Sequence, residues 1–185
     1  MRHTIRLVMA VTVLLILAAP LHAQQKREGL MGDFLSDVAQ VEMKVLGLAK
    51  AIPASAYDWR PSKEARSTAE TLMHVAADNY FIPAAMGTPA PAETGITKEY
   101  RTAAAFEKKA MDRDAILAEL QKSFAFLKAS MTSVPDEKMD ATLDFFGRKG
   151  TARTAWLMTV THLHEHLGQL IAYARSNNVT PPWSK

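Results

Sequence analysis

Four stretches of this chain repeat an apolar residue every three or four positions, and this spacing constrains the fold more than any other feature. Such a repeat aligns apolar side chains on one face of an α-helix. The four predicted helices span residues 28–51, 67–83, 112–135 and about 151–176. Four amphipathic helices can bury their apolar faces by packing against one another, so we predict an all-α four-helix bundle.

Helix boundaries are marked at several points in the sequence. Ser67 and Glu70 have the spacing of a capping box, in which each side chain bonds the backbone of the other residue. Pro83 and Gly87 are predicted to end the helix that starts there, because proline has no backbone N–H to donate. Thr151 is the predicted N-cap of the last helix.

Two connections are longer than a simple turn. Residues 88–110 contain prolines, a glycine and mixed charges, and we predict a long connection with a short helix near residues 103–109. A connection of this length in a compact domain is either a lid or a crossover. Residues 140–150 contain two glycines and are predicted to form a loop or a small hairpin.

The first 23 residues have the pattern of a secretory signal peptide. A basic start precedes an apolar run from Leu7 to Ala19, and a small-residue cleavage pattern follows. The run is shorter than the roughly 20 residues that a membrane-spanning helix needs. We predict cleavage after Ala23 and export of residues 24–185 as one domain, periplasmic or secreted, without stable membrane association. An uncleaved N-terminal anchor is the alternative.

The charge of the chain argues against a nucleic-acid partner. There are 22 basic and 19 acidic side chains, a net charge of +3. Arg2 and Arg6 would leave with the signal peptide, so the mature domain would have a net charge of only +1. That is far from the strongly basic surface that nucleic-acid binding needs. The chain has no cysteine, so the exported fold would depend on its core and on any bound metal.

Three histidines fall within five positions of the last predicted helix. His162 and His166 are four residues apart, so they lie one turn apart on the same face. His164 lies two positions from each and points to roughly the opposite side. Two imidazoles at this spacing can bind one divalent ion, but two ligands rarely hold a metal alone. The sequence must therefore supply a third ligand.

His74 is the candidate third ligand. It lies among apolar neighbours on the second predicted helix, where the alternative is a core histidine with one hydrogen-bond partner. Metal sites in helical bundles form between facing helices, so we predict a site of His74, His162 and His166. Three imidazoles leave a coordination position open, and they accept Zn, Ni, Fe, Co or Mn.

Three polar residues follow these histidines on the same helical faces. Asp78 lies one turn after His74 and can orient a ligand imidazole or accept a proton as a base; a surface carboxylate is the alternative. Gln169 and Tyr173 follow His166 at three and seven positions. Gln169 can hydrogen-bond a ligand or cap a neighbouring helix. Tyr173 can hydrogen-bond a ligand or serve as a core aromatic.

Glu165 is a second candidate base. His162, Glu165 and His166 spell H-x-x-E-H, the signature of inverted zinc proteases. Such enzymes take a further ligand from well downstream, and only 19 residues follow His166. The alternative for Glu165 is a residue that faces solvent or supports a ligand.

Taken in order, three segments resemble the DinB/YfiT-like superfamily. They are YDWRP at 57–61, AETLMH at 69–74 and the pattern HxxxHxGQL at 162–170, with two prolines at 181–182. The resemblance covers nearly all of the chain after the signal peptide. The order of the segments is more specific than any one of them alone.

The resemblance implies a four-helix bundle, often a homodimer, in which three histidines hold a divalent metal. The matching positions are His74, His162 and His166. Characterised branches of the superfamily include transferases that use low-molecular-weight thiols and a hydrolase-like isomerase, and many members have no known activity. Here Glu165 and Leu167 replace a histidine and an arginine that commonly flank the last ligand.

Two functions from different classes are consistent with these residues. The first is a metal-dependent hydrolase or group (thiol) transferase that acts on a small substrate, with Asp78 or Glu165 as the base. The second is a non-catalytic ligand-binding or scaffold protein in which the metal staples the bundle. Separations of about 3–4 Å among the ligand nitrogens would fit a shared ion, and separations beyond about 8 Å would exclude one.

Overall fold

A computed structural model of the protein describes residues 28–145 and 147–184. The predicted signal peptide lies outside these residues. The helices are α1 (Gly29–Ala51), α2 (Thr68–Ala85), α3 (Tyr100–Glu107), α4 (Arg113–Thr132) and α5 (Ala152–Ser176). The strands are β1 (Thr142–Phe145) and β2 (Arg148–Thr151). No helix in the described ranges is long and apolar enough to cross a membrane.

The four long helices pack in a ring. α1 packs against α4 and α5, and α2 packs against the same two helices. Helices α1 and α2, which follow each other in the chain, therefore lie diagonally opposite. This packing confirms the predicted four-helix bundle. The largest fully buried side chains come from all four helices and include Met31, Leu48, Leu72, Tyr80, Phe124, Leu127, Trp156 and Leu170.

Helix α2 is enclosed on nearly all sides, because α3, α4 and α5 all pack against it. Every side chain from residue 71 to residue 84 is buried. His74, Asp78 and Asn79 are therefore polar groups inside the fold, and each needs a hydrogen-bond partner to offset its lost hydration. Asn79 finds one on α4, where its Nδ2 donates to Ser123 Oγ over 3.0 Å.

The start of α2 follows the prediction, and its end lies between the two residues predicted to close it. Ser67 Oγ accepts from the Glu70 amide over 3.2 Å, and the Ser67 amide donates to Glu70 Oε2 over 2.7 Å. This confirms the capping box. Pro83 lies inside the helix, which ends at Ala85, between Pro83 and Gly87. Proline cannot donate to the carbonyl four residues earlier, and its ring crowds that carbonyl, so the helix extends only a little beyond Pro83. Gly87, whose φ is 103°, follows the C-cap.

The long connection between α2 and α4 contains α3, a short helix as predicted, although it begins at Tyr100 rather than near residue 103. Ala103 and Phe106 are buried. The Phe106 ring meets Tyr80 of α2 edge-on, with the ring centroids 5.9 Å apart. The connection is therefore a packed layer on the outer side of α2. At its end it places Glu107 beside α2.

The segment between α4 and α5 is a small hairpin, one of the two predicted forms. β1 and β2 pair antiparallel, with Thr142 opposite Thr151 and Phe145 opposite Arg148. Thr151 then caps α5, because its side chain accepts from the amide of Thr154 over 3.2 Å. The hairpin thus leads directly into the helix that carries the histidine cluster.

Candidate metal centre

The three predicted ligands meet between α2 and α5. One ring nitrogen from each of His74, His162 and His166 lies within 4.8 Å of the others. The Nε2 atoms of His162 and His166 are 3.0 Å apart, and the His74 ring centroid lies 4.5 Å from that of His166. His74 and His166 are buried, whereas the His162 side chain keeps 25% of its exposure. Solvent therefore reaches the group from the His162 side.

A carboxylate fixes the orientation and the tautomer of His74. The Nδ1 atom of His74 lies 2.6 Å from Oε1 of Glu107, at the end of α3. An ionised carboxylate only accepts hydrogen bonds, so Nδ1 is the donor. In the neutral ring, the lone pair then belongs to Nε2, which lies 3.3 Å from Oδ2 of Asp78. Burial opposes the charge of Glu107, but hydrogen bonds and charge from His74 and Arg66 hold the pKa of Glu107 below its ordinary value.

A chain of three hydrogen bonds fixes His166 in the same way. His166 Nδ1 lies 2.9 Å from Gln169 Oε1, and Gln169 Nε2 donates to the Tyr173 hydroxyl over 2.7 Å. That hydroxyl donates to the backbone carbonyl of Arg66 over 3.0 Å. A carbonyl can only accept, so the direction of the whole chain is set and His166 Nδ1 must be the donor. The lone pair of His166 is thus on Nε2.

Asp78 completes the group and favours a cation there. Its Oδ2 lies 3.3 Å from Nε2 of His74 and 3.3 Å from Nε2 of His162. When His74 is neutral, its Nε2 lone pair faces a carboxylate oxygen, and a proton or a shared cation between them would relieve this repulsion. Three imidazole nitrogens and one carboxylate oxygen form a donor set that suits a divalent transition ion. The residues therefore fit such an ion.

The buried setting shifts the titration of these groups in a direction that favours coordination. Burial, aided by the neighbouring His166 and His74, lowers the pKa of His162 to about 4. Burial also lowers the pKa of His166. Near neutral pH both rings are uncharged, and each can offer the lone pair of one nitrogen. Burial raises the pKa of Asp78 to about 6, so its charged form carries a cost that a nearby cation would offset.

A second group of ligand atoms overlaps the first. His74, Asp78 and Glu107 also present ligand atoms within 4.8 Å of one another. The group shares His74 with the three histidines, and the His74–Glu107 contact is the hydrogen bond that sets the tautomer. We therefore treat both groups as parts of one centre.

The remaining residues singled out from the sequence take different places. His164 points away from the centre as predicted, and its Nε2 lies 2.7 Å from Oδ2 of Asp37 on α1. Glu165 is exposed and is not among the described side chains whose ligand atoms converge, so its role as a base stays a prediction. Gln169 bonds His166 directly, the first of the two roles considered for it. Tyr173 is a buried aromatic whose hydroxyl bonds Gln169 and not a histidine of the centre.

Two residues of the centre were missed in the sequence. Glu107 lies in a charge-rich stretch that looks like a solvated connection, and Arg66 lies just before the N-cap of α2. Arg66 Nη2 is 3.3 Å from Glu107 Oε2. The available signal was indirect, because a buried His74 requires a partner for its second nitrogen. Nothing in the sequence said which of many charged residues would provide it.

Comparison with solved structures shows similar folds in two Bacillus species. YfiT from Bacillus subtilis, described as a probable metal-dependent hydrolase with an unusual four-helix bundle topology, matches with a TM-score of 0.64 and 17% identity, covering 87% of this chain and 97% of that one. A DinB-like protein from Bacillus cereus matches with a TM-score of 0.62 and 17% identity over 83% and 95% of the two chains. The DinB-like protein YjoA from Bacillus subtilis gives 0.61 and 16% over 80% and 94%. Identities this low show the fold alone.

The family is shown by the sequence itself. No curated protein gives a significant match. The family model of the DinB superfamily matches residues 38–170, which include all three histidines of the centre and most of the bundle. This chain is therefore a member of the DinB superfamily.

Proposed function

We propose that this protein is an exported, divalent-metal-binding enzyme that acts as a hydrolase or a group (thiol) transferase on a small substrate. The observation that carries the proposal is the pair of buried imidazoles, His74 and His166, whose Nδ1 atoms are each tied to an acceptor. Their Nε2 lone pairs face His162 and Asp78 in one partly accessible cluster. The similar fold of YfiT, described as a probable metal-dependent hydrolase, supports the same class of chemistry.

The metal ligands in this proposal are His74, His162 and His166. A bound divalent ion would supply Lewis-acid chemistry and lower the pKa of a water or a thiol. The protein contributes two buried imidazoles held by hydrogen bonds, and it leaves the centre open to solvent on the His162 side. Imidazole ligands accept Zn, Ni, Fe, Co or Mn, so the donor set leaves the metal open.

Asp78 is the proposed base. Its Oδ2 lies beside two ligand nitrogens and so borders the position of a reacting nucleophile. A base must reach the proton that it accepts, and its pKa should lie near the working pH. Burial raises the pKa of Asp78 to about 6, which meets the second requirement. Exposed Glu165 on α5 is the alternative base.

A non-catalytic role is the second candidate, and the position of Asp78 favours it. A carboxylate equally distant from His74 and His162 can complete a four-ligand sphere, and closed four-ligand sites are structural. The ion would then staple α2 to α5, and the protein would serve as a ligand-binding or scaffold protein. Cobalt substitution separates the roles: the absorption spectrum of the Asp78→Asn variant changes strongly when Asp78 is a ligand and little when it is a base.

The direct test is metal content. Protein isolated from its native compartment should contain about one divalent ion per chain by elemental analysis, as expected for a three-histidine site. His74→Ala should lose most of it. His164→Ala is the matched control. It removes an imidazole from the same five-residue stretch of α5, but that imidazole contacts Asp37 and not the centre. Equal metal content in all three proteins would overturn the proposed site.

The cellular setting of the proposal has its own tests. We propose that residues 24–185 form the mature protein, periplasmic or secreted, without stable membrane association or a nucleic-acid partner. Intact mass of the exported protein would show cleavage after Ala23, and retention of residues 1–23 in a membrane fraction would contradict it. A homodimer, suggested by the family resemblance, would appear as a doubled mass in sedimentation.

A further inference from the structure

We propose that Arg66 positions both buried histidine ligands at once, through its side chain toward His74 and through its backbone toward His166. The inference rests on the proposed metal site and names the residue that organises it. Arg66 lies outside the regular helices, one residue before the N-cap of α2. It touches neither ligand directly, so it acts as a positioning residue.

The side-chain arm runs through Glu107. Arg66 Nη2 lies 3.3 Å from Glu107 Oε2, and Glu107 Oε1 accepts from His74 Nδ1 over 2.6 Å. The two carboxylate oxygens are thus used separately, one toward the arginine and one toward the histidine. The Glu107 side chain is only 13% exposed, and the guanidinium partner helps to offset the cost of burying its charge. This arm holds α3 against the centre.

The backbone arm runs through Tyr173 and Gln169. The Arg66 carbonyl accepts from the Tyr173 hydroxyl, which accepts from Gln169 Nε2. Gln169 Oε1 then accepts from His166 Nδ1. If the carbonyl were replaced by a donor, every bond in this chain would have to reverse. The tautomer of His166 is therefore determined by a backbone group about 100 residues earlier in the chain.

The position of Arg66 explains why its carbonyl is a reliable anchor. The next residue, Ser67, is held by both bonds of the capping box. The following amide, that of Thr68, donates to the carbonyl of Trp59 over 3.0 Å. The backbone on the C-terminal side of Arg66 is therefore fixed by the start of α2. The two arms are chemically independent, since a substitution at position 66 removes the side-chain arm and leaves the carbonyl in place.

The first experiment measures tautomers in the metal-free protein. Imidazole nitrogen NMR at alkaline pH, where the rings are neutral, should show His74 and His166 protonated on Nδ1. Glu107→Ala should remove this preference at His74 only, and Tyr173→Phe should remove it at His166 only. Arg66→Ala should weaken it at His74 and leave His166 unchanged.

Matched controls separate positioning from general loosening of the fold. Glu119 is a partly buried carboxylate that accepts from Tyr80 over 2.8 Å, and Tyr57 is a buried tyrosine that donates to a backbone carbonyl over 2.7 Å. Glu119→Ala and Tyr57→Phe should leave both tautomers unchanged. The proposal is overturned if these controls move the tautomers as much as Glu107→Ala and Tyr173→Phe do, if Arg66→Ala leaves the His74 tautomer unchanged, or if none of the variants moves the tautomers.

The second experiment measures zinc affinity by competition with a chelator. Loss of a group that orients a metal-bound histidine typically weakens binding by about 10–100-fold. We expect a loss in that range for Glu107→Ala and Tyr173→Phe, and no loss for the two controls. If the wild type binds neither zinc nor Ni, Fe, Co or Mn while the tautomers behave as described, the proposed function fails and the positioning by Arg66 stands. Unchanged tautomers together with normal zinc binding would overturn the positioning alone.

Discussion

His162 and His166 lie one turn apart on α5, with their Nε2 atoms 3.0 Å apart. Since His166 donates through Nδ1, the contact in the metal-free protein needs a proton from His162. A divalent ion can replace that proton and bind both nitrogens. Any ligand that binds only the folded state stabilises it, by about 2.7 kcal/mol at 100 times the dissociation constant. We therefore expect zinc to raise the melting temperature by about 5–10 °C for a domain of this size.

Calorimetry with and without a chelator would measure this shift. His162→Ala and His166→Ala should each lose it, because either change removes a nitrogen from the centre. His164→Ala should retain it, since that side chain is exposed and contacts Asp37. A shift of the same size in all three variants would show that zinc binds elsewhere.

The second prediction concerns the cost of keeping Asp78 in the centre. It is 8% exposed, and burial raises the pKa of its carboxyl from 3.8 to about 6. Because the pKa of Asp78 is higher in the folded than in the unfolded state, the charged carboxylate destabilises the metal-free fold. This cost is fully present above about pH 6. Asp78→Asn should therefore stabilise the metal-free protein at pH 7, by at most about 3 kcal/mol for a shift of this size. Denaturant unfolding in the presence of a chelator would measure the gain.

The same substitution should have the opposite effect on the metal-bound protein. Asparagine cannot offset the charge of a divalent ion, so zinc should stabilise Asp78→Asn less than it stabilises the wild type. Such a reversal is the signature of a residue kept for function at a cost in stability. If Asp78→Asn destabilised the metal-free protein instead, the carboxylate would be acting as a structural hydrogen-bond partner.

Much of the bundle was predictable because its signals are local. The apolar stripes of α1, α4 and α5 and the capping box at Ser67 each lie within one stretch of sequence. Helix α2 was harder, because its side chains are buried on almost every face and show no single stripe. Its end at Ala85 lies between Pro83 and Gly87, the two residues that were predicted to close it.

Some residues of the centre can be recognised from the local sequence, and others depend on how distant segments pack. The pair His162 and His166 follows from helix geometry, and His74 follows from the need for a ligand on a facing helix. Glu107 could not be chosen from the sequence, because its role depends on how α3 folds back onto α2. Arg66 was further hidden because half of its contribution comes from a backbone carbonyl, which carries no signal in its residue type.

The third prediction tests whether α3 docking supports the centre. Phe106 is 3% exposed and precedes Glu107, so its ring anchors the end of α3 that reaches His74. Phe106→Ala should destabilise the protein by about 3–5 kcal/mol, as large-to-small changes in cores do. It should also weaken zinc binding, because Glu107 would be held less firmly.

Phe124→Ala is the control for that experiment. Phe124 is fully buried on α4, so its loss should cost a similar free energy of unfolding. No hydrogen bond of the centre runs through α4, within the described residues, and zinc affinity of the folded protein should stay near that of the wild type. Equal loss of zinc affinity in both variants would indicate that general softening of the core, and not α3, controls the site.

The last prediction concerns the capping box, which lies beside Arg66. The backbone hydrogen bond from Ser67 is the main cause that lowers the pKa of Glu70; burial opposes it, and a hydrogen bond and charge from Arg60 add to the lowering. A carboxylate with a lowered pKa contributes stability that is present above its unfolded value of about 4.5 and is lost as pH falls through the folded value. Glu70→Ala should therefore destabilise the metal-free protein most at neutral pH, and the difference from wild type should shrink below about pH 4.5.

Ser67→Ala should cost about 1 kcal/mol with little dependence on pH while Glu70 remains ionised, because a hydroxyl does not titrate in this range. Urea unfolding of the three proteins from neutral pH down to about pH 3 would measure both effects. A Glu70→Ala difference that stayed constant with pH would mean that the charge of the carboxylate contributes nothing at the start of α2.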